Sequence, residues 1–235
     1  MRWGVVTFPG SLDDNDTLFA LEQVLGEVAV ALWHKDRSLH GVDCVVLPGG
    51  FSYGDYLRAG ALARVSPVME SIMRFAADGG LVLGICNGFQ VLCEAGLLPG
   101  ALIRNRGLSF LCEVVHCRVE ETDTPFTRGC SRAQVLALPV KHGEGCYFAE
   151  PETLRAMEAR GQIVLRYVTP EGDATPAANP NGSLANVAGI RNERGNVFGL
   201  MPHPEHAVEG AIGGTDGAVI LGSLVDAVRA RRGAP

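Results

Sequence analysis

The chain has 235 residues, 47% of them hydrophobic, and a net charge of -6, with a pI near 5.5. Its length suits a single domain over residues 1–235 with a substantial buried core, and the acidic balance argues against nucleic acid as a partner. No apolar run approaches the roughly 18 residues that span a bilayer. Seven cysteines without a Cys-x-x-Cys pair are expected to be reduced thiols in a cytoplasmic protein, mostly acting as small core hydrophobes.

In chain order, short apolar strands alternate with helical patterns. Strands are predicted at Trp3–Phe8, Val28–Trp33, Asp43–Leu47 and Leu81–Ile85. The first apolar stretch runs straight into Pro9-Gly10 and is too short for a signal-peptide core. Between the first two strands, Asp13 or Asp14 is expected to cap a helix that carries Leu18, Leu21, Val24 and Leu25 on one face. Ala59–Ala77 reads as a second helix, with Pro67 marking a break or a start. Such alternation predicts an α/β fold, an open and mostly parallel central sheet with helices on both faces. After residue 100, strands are expected at Leu111–Val119, Gln134–Lys141, Gln162–Val168, Asn186–Arg191 and Asn196–Met201. Helices are expected at Glu152–Arg160 and Asp216–Arg229, and a Pro/Asn/Gly-rich loop at Ala174–Ser183.

Chemistry concentrates at Gly84-Ile85-Cys86-Asn87-Gly88-Phe89-Gln90. A cysteine between a strand and a helix, with glycine two residues to either side, has the form of a nucleophile elbow. A tight elbow needs small neighbours because the nucleophile's backbone is strained and crowded. At a helix N-terminus the dipole favours thiolate over thiol. Such a nucleophile needs a base and a group to orient that base. His203, held between Pro202 and Pro204, with Glu205 two residues on, supplies both. His206 is a rival base without the proline bracket. Gly49 and Gly50, straight after a strand, can bring backbone N–H groups to a ligand and, with the amide of Asn87, form an oxyanion hole. No Gly-Lys-Ser/Thr follows, so this loop is not a phosphate cradle. No zinc site is expected, because Cys112 and Cys117 have the wrong spacing and His203-Pro204-Glu205 lacks a following Pro-Cys-x-x-Cys.

Together with Phe8-Pro9-Gly10-Ser11, Gly49 to Gly60, His142-Gly143-Glu144-Gly145 and Asn179-Pro180-Asn181-Gly182-Ser183, these motifs cover nearly the whole chain. They resemble the class I, triad-type glutamine amidotransferases, and among these the small glutaminase subunits of phosphoribosylformylglycinamidine synthases. The chain departs from that pattern at Leu12-Asp13-Asp14, where the family usually shows Asn-Cys-Asp, and at Lys141, where a small residue is expected. The resemblance implies a flavodoxin-like fold and hydrolysis of L-glutamine through a thioester on Cys86, with His203 as base and Glu205 as its orienting group. Gln90 and His142 are implied to bind substrate. Ammonia would pass to a large synthetase subunit, accompanied or not by a small accessory protein, and ATP and Mg would bind that partner rather than this chain. The alternative is a free-standing cysteine hydrolase or stress protein of the DJ-1/PfpI type. Those chains usually draw histidine from right beside the nucleophile, where this one has Asn87. A third reading is a non-catalytic scaffold, which an intact Cys86, His203 and Glu205 disfavours.

Overall fold

The protein is described here by a computed structural model covering residues 1–233. Among the described residues, eleven strands and five α-helices follow one another. The strands are β1 (Arg2–Thr7), β2 (Val28–Trp33), β3 (Cys44–Leu47), β4 (Leu81–Ile85), β5 (Ala101–Ile103), β6 (Leu111–Val119), β7 (Val135–His142), β8 (Cys146–Phe148), β9 (Ile163–Val168), β10 (Val187–Arg191) and β11 (Val197–Leu200). The helices are α1 (Asp14–Phe19), α2 (Pro67–Ala77), α3 (Asn87–Glu94), α4 (Pro151–Ala159) and α5 (Asp216–Gly233). Nine strands form one sheet in the order β2-β1-β3-β4-β11-β10-β9-β6-β7. The strands from β2 to β11 pair in parallel, and the rest are antiparallel.

The parallel half is the apolar heart. Every residue of β3, β4 and β11 is buried, as expected of strands covered on both faces. The steps from β1 to β2 and from β3 to β4 run in opposite directions along the strand order. Right-handed crossovers therefore put α1 and α2 on opposite faces. At the other end, β7 alternates between half-buried and buried residues, the signature of a strand with one covered face.

Three local readings change. Ala59–Ala77 is not one helix. Residues 59–66 form turns with a short 3₁₀ segment, Ala63–Val65, and α2 starts at Pro67. Ser66 is extended (φ -64°, ψ 144°), as the residue before proline prefers, and proline fits the first helical position, where no N–H is needed. Asp13 occupies the N-cap of α1 but makes no side-chain cap bond; its carboxylate turns toward the site described below. Asp14 accepts from the Thr7 hydroxyl instead, at 2.8 Å. Cys112 is exposed, because it sits on the outward face of β6 rather than in the core. The two-stranded β5–β8 ribbon was unexpected; segments of three residues are too short to show a period.

Chain and sheet together bring distant segments to one edge. The loops after β1, β3, β4 and β11 leave parallel strands at their carboxyl ends, and four antiparallel reversals return β7 to the same direction. On a flat sheet β7 would lie five strand spacings of about 4.8 Å, roughly 24 Å, from β4. Yet the Cys86 thiol, just past β4, donates to the carbonyl of Lys141 in β7 at 3.7 Å, and His203 N–H donates to Pro139 O at 2.8 Å. The sheet curls until its last strand closes over the carboxyl edge.

The packing of α3 depends on glycine. A Cβ on Gly88 would sit 2.0 Å from the Leu47 carbonyl oxygen, a backbone atom that cannot step aside. Gly88→Ala is expected to lose about 3 kcal/mol of stability or more. By contrast, Gly222 lies within α5 with nothing within 4 Å of a built Cβ, so Gly222→Ala should gain about 0.5–1 kcal/mol. Urea unfolding of the two variants checks both; equal losses would refute the steric account.

Candidate active site

Cys86 stands at the turn from β4 into α3 with φ 50° and ψ -105°, a conformation that costs an L-residue on the order of 1–3 kcal/mol. Its N–H donates to Leu200 O at 2.8 Å, which ties the elbow to β11. On the near side, a Cβ on Gly84 would meet Leu92 and the Gly88 backbone within 2.5–2.8 Å. Asn87 opens α3, so its N–H is one of the first-turn amides without an intrahelical acceptor.

A cavity of about 190 Å³ lies beside the sulfur. It is lined by Gly50, Phe51, Asp55, Cys86, Gln90, Phe110, Lys141, His142, Gly143 and Glu144. That is room for one small ligand. A larger cleft of about 490 Å³ between residues 122–128 and the end of α5 is lined by Thr122, Asp123, Thr124, Arg128 and Arg231, with no cysteine or histidine among its lining residues.

His203 is fully buried. Its Nδ1–H donates to Glu205 Oε1 at 2.6 Å. Nε2 is buried without a hydrogen-bond partner. Burial opposes a charge on His203, but the Glu205 carboxylate and the Cys86 sulfur outweigh it and lift the imidazolium to about 10. Prolines 202 and 204 fix the turn, and Pro204–His206 forms a single 3₁₀ turn that brings Glu205 back under His203.

The glycine loop after β3 is pinned from the β1 side. Gly49 O accepts from Leu12 N and Asp13 N at 3.2 and 3.3 Å, Phe51 N donates to Gly10 O at 2.8 Å, and Ser52 N donates to Asn87 Oδ1 at 3.1 Å. Tyr53, Asp55 and Leu57 all take positive φ, so the loop holds strain at residues that resist it. The two glycines differ in position. Gly50 faces the cavity, whereas Gly49 is wedged so that a Cβ there would meet Asp13 Oδ2 at 2.2 Å and His203 Cε1 at 2.7 Å.

Gln90 lines the cavity with its amide committed to the protein. Nε2 donates to Glu144 O at 2.6 Å, and Oε1 accepts from Asn87 Nδ2 at 2.8 Å. Sequence reasoning did not single out Asp55 and Phe110. Burial and then Glu144 raise the Asp55 carboxyl to about 6. Two carboxylates on the rim suit a cationic group such as an α-ammonium.

The order in the His142 wall comes from the Asn179–Ser183 loop. Asn181, fully buried, donates from Nδ2 to Gly145 O at 2.8 Å, and its Oδ1 accepts from Ser183 N at 3.0 Å. A carbonyl can only accept and a backbone N–H can only donate, so these contacts fix which end of the amide is which. Nδ2 then also donates to His142 Nε2 at 3.1 Å, leaving His142 with its proton on Nδ1. Burial, with a smaller contribution from His203, lowers His142 to about 4, which keeps it neutral.

Behind His203 the donor atoms of Asp13, His203, Glu205 and His206 all lie within 4.8 Å of one another. Lys141 forms an ion pair with Asp13 Oδ1, and Glu205 already holds His203 Nδ1, so the donors serve a hydrogen-bonded charge cluster. Asp13 and Lys141, both departures from the expected pattern, are thus each other's partners. His206 Nε2 approaches Asp13 Oδ1 at 3.4 Å and Glu205 Oε1 at 3.6 Å. Its ring centroid lies 5.4 Å from that of His203, and both imidazoles border a neighbouring cleft rather than the Cys86 cavity itself.

Comparison with known proteins gives the family. Residues 1–212 match the model of the CobB/CobQ-like glutamine amidotransferase domain. Phosphoribosylformylglycinamidine synthase subunit PurQ of Moorella thermoacetica is 56% identical over 96% of both chains. That of Thermus thermophilus is 56% identical over 97% of this chain and 99% of its own. A chain of the solved structure of PurLQS from Thermotoga maritima is 42% identical, with a TM-score of 0.85, covering 96% of this chain and 97% of that one. The chain belongs to the glutamine amidotransferase family and, within it, to the family of the PurQ subunits of phosphoribosylformylglycinamidine synthase.

The depressed proton affinity of His142 has a consequence for stability. Between pH 6.5 and 4 the unfolded chain takes up a proton at this residue and the native one does not, so stability falls as pH falls through that window, by about 3 kcal/mol in full. Asp55, with a raised value, slopes the opposite way and is common to both proteins in a comparison with His142→Asn. Urea unfolding from pH 7 to 4 should show wild type losing more stability than His142→Asn; parallel curves would mean that His142 is charged in the native state.

Proposed function

We infer that this chain is the glutaminase subunit of a phosphoribosylformylglycinamidine synthase. It hydrolyses L-glutamine and hands ammonia to a separate synthetase subunit, which converts formylglycinamide ribonucleotide to formylglycinamidine ribonucleotide in purine biosynthesis. The observation that carries this is the strained Cys86 beside a cavity of about 190 Å³, in a chain 56% identical to PurQ subunits along almost its whole length. ATP and Mg are assigned to the synthetase, because this sequence contains no nucleotide-binding motif. The site of action is the cytoplasm, where a purine-synthesis enzyme works; no helix among the described residues is long and apolar enough to cross a membrane.

In this reading Cys86 attacks the carboxamide carbon of glutamine. His203 takes the thiol proton and gives it to the departing ammonia, while Glu205 holds the imidazole in one tautomer. The amides of Gly50 and Asn87, supported by Gly49, receive the developing oxyanion. The glutamyl thioester is then released by water. His142 and Gln90 form the wall against which the substrate is held. The domain acts as one unit over residues 1–235. The free-standing DJ-1/PfpI-type alternative is disfavoured by Asn87 following Cys86.

Variant turnover, covalent labelling and partner dependence test the reading. Cys86→Ala should abolish glutamine hydrolysis and leave the reconstituted synthetase able to use free ammonia. His203→Ala should lower kcat by several powers of ten, and Glu205→Gln by less. A chloroketone analogue of glutamine should label Cys86, and a mass-spectrometric adduct on Cys93 or Cys44 would sink the assignment. The last measurement is glutamate release with and without the partner. An oxyanion amide displaced by about 1 Å costs roughly 100-fold, so seating the strained Gly49–Leu57 loop against a synthetase with substrate and nucleotide bound should raise kcat more than it lowers KM. Equal kcat in the isolated chain and the complex would rule out gating.

A further inference from the structure

The ion pair behind the site, buried on its Asp13 side and half-buried at Lys141, has no part in the steps above. Asp13 is 2% exposed and sits at a helix N-cap, yet it caps nothing. Its carboxylate instead meets Lys141 Nζ and His206 Nε2 through Oδ1, and Oδ2 stands 3.7 Å from His203 Nδ1. Lys141 is one of only two lysines in the chain, and its own carbonyl accepts from the Cys86 thiol. The pair therefore joins three segments of the site: the loop after β1, the end of β7 and the turn that carries His203.

We propose that Asp13 and Lys141 act as one charge-compensated positioning pair for His203, setting how firmly its imidazole holds a proton during glutamine hydrolysis. The proposal rests on the glutaminase reading of Cys86 and His203. Glu205 already orients the imidazole from 2.6 Å, so a second carboxylate is not needed for the tautomer. Left alone, it would bind the imidazolium too firmly, and the proton would be given up reluctantly to departing ammonia. Lys141 on the same carboxylate cancels that charge and leaves the hydrogen bonds of Asp13 in place. The charged and titratable groups around His203 enclose it from every side. Glu205 and His206 lie on its own turn, Asp13 on the loop after β1, Cys86 at the head of α3, and Lys141 and His142 at the end of β7; Asp16 reaches His206 at 3.8 Å. Consistent with an ion-paired state, burial raises the Asp13 carboxyl, but His206, His203 and Lys141 outweigh it and hold it at about 2.

The test is a charge cycle. In a full-length Cys86→Ala background, which removes the sulfur beside the imidazole, the protein is labelled with 13C-histidine. The His203 signal is assigned by its loss in His203→Gln, and its midpoint is followed with pH. Lys141→Met leaves an unbalanced carboxylate and should raise the midpoint by about one pH unit, and Asp13→Asn leaves an unbalanced ammonium and should lower it by a similar amount. The double variant and Lys141→Arg should both return close to the parent. With Cys86 restored, the high-pH limb of kcat/KM for glutamate release by the complex should move in the same directions. A tether without an electrostatic role predicts something else: midpoints that agree among all variants while thermal stability drops. That result, or a double variant no closer to the parent than either single one, would overturn the proposal. The titration does not depend on turnover, so it is separable from the glutaminase reading, which fails on its own if the chloroketone adduct lies elsewhere than on Cys86.

Discussion

The arrangement of the site depends on the parallel pairing of β4 with β11. Their register sets Leu200 opposite Ile85, so the chain leaves both strands at the same level of the same edge. The next residue on one side is Cys86, and three on from the other is His203. The N–H of Cys86 closes onto Leu200 O. A parallel neighbour sends both its exits the same way; an antiparallel pairing would have put the cysteine and the histidine at opposite ends of the sheet. Nothing about the two side chains brings them together. The hydrogen-bonded ladder between two fully apolar strands does.

That ladder is rigid because it is buried on both faces, and it supports strained backbone where the chain leaves it. Cys86 at φ 50° and the positive φ of Tyr53, Asp55 and Leu57 are unfavourable locally. They persist because Gly84 and Gly88 let α3 lie against β3 and β4 at distances no Cβ would allow, and because the loop after β3 is laced to the loop after β1. The curl of the antiparallel half then brings β7 across the carboxyl edge. Without it, Lys141, His142 and Glu144 would stand tens of ångströms away, and the cavity would lack a wall.

Electrostatics divides the site into two regions. On the cavity side, burial keeps His142 neutral, and the rim carries the Asp55 and Glu144 carboxylates. On the far side of His203, carboxylates crowd together and are balanced by Lys141 and the histidines. The imidazole lies on the boundary, where a proton gained from one side is stabilised from the other.

The sequence alone determined the strand and helix alternation, the elbow at Cys86, the bracketed His203 with Glu205, and the class of protein to which such motifs belong. These are local patterns: the period of apolar residues, the glycine spacing and the conformation imposed by proline are all carried by neighbours in the chain. It also marked Asp13 and Lys141 as unusual without linking them. Tertiary structure alone decided that they pair, that Asp13 forgoes capping its helix, that Gly49 turns to His203 while Gly50 turns to the cavity, and that Asn181 sets the tautomer of His142. Each of these joins residues from different strands or loops, and the distance between them is set by the curl of the sheet. The curl accumulates over every strand in the ladder and leaves no signature at any single position.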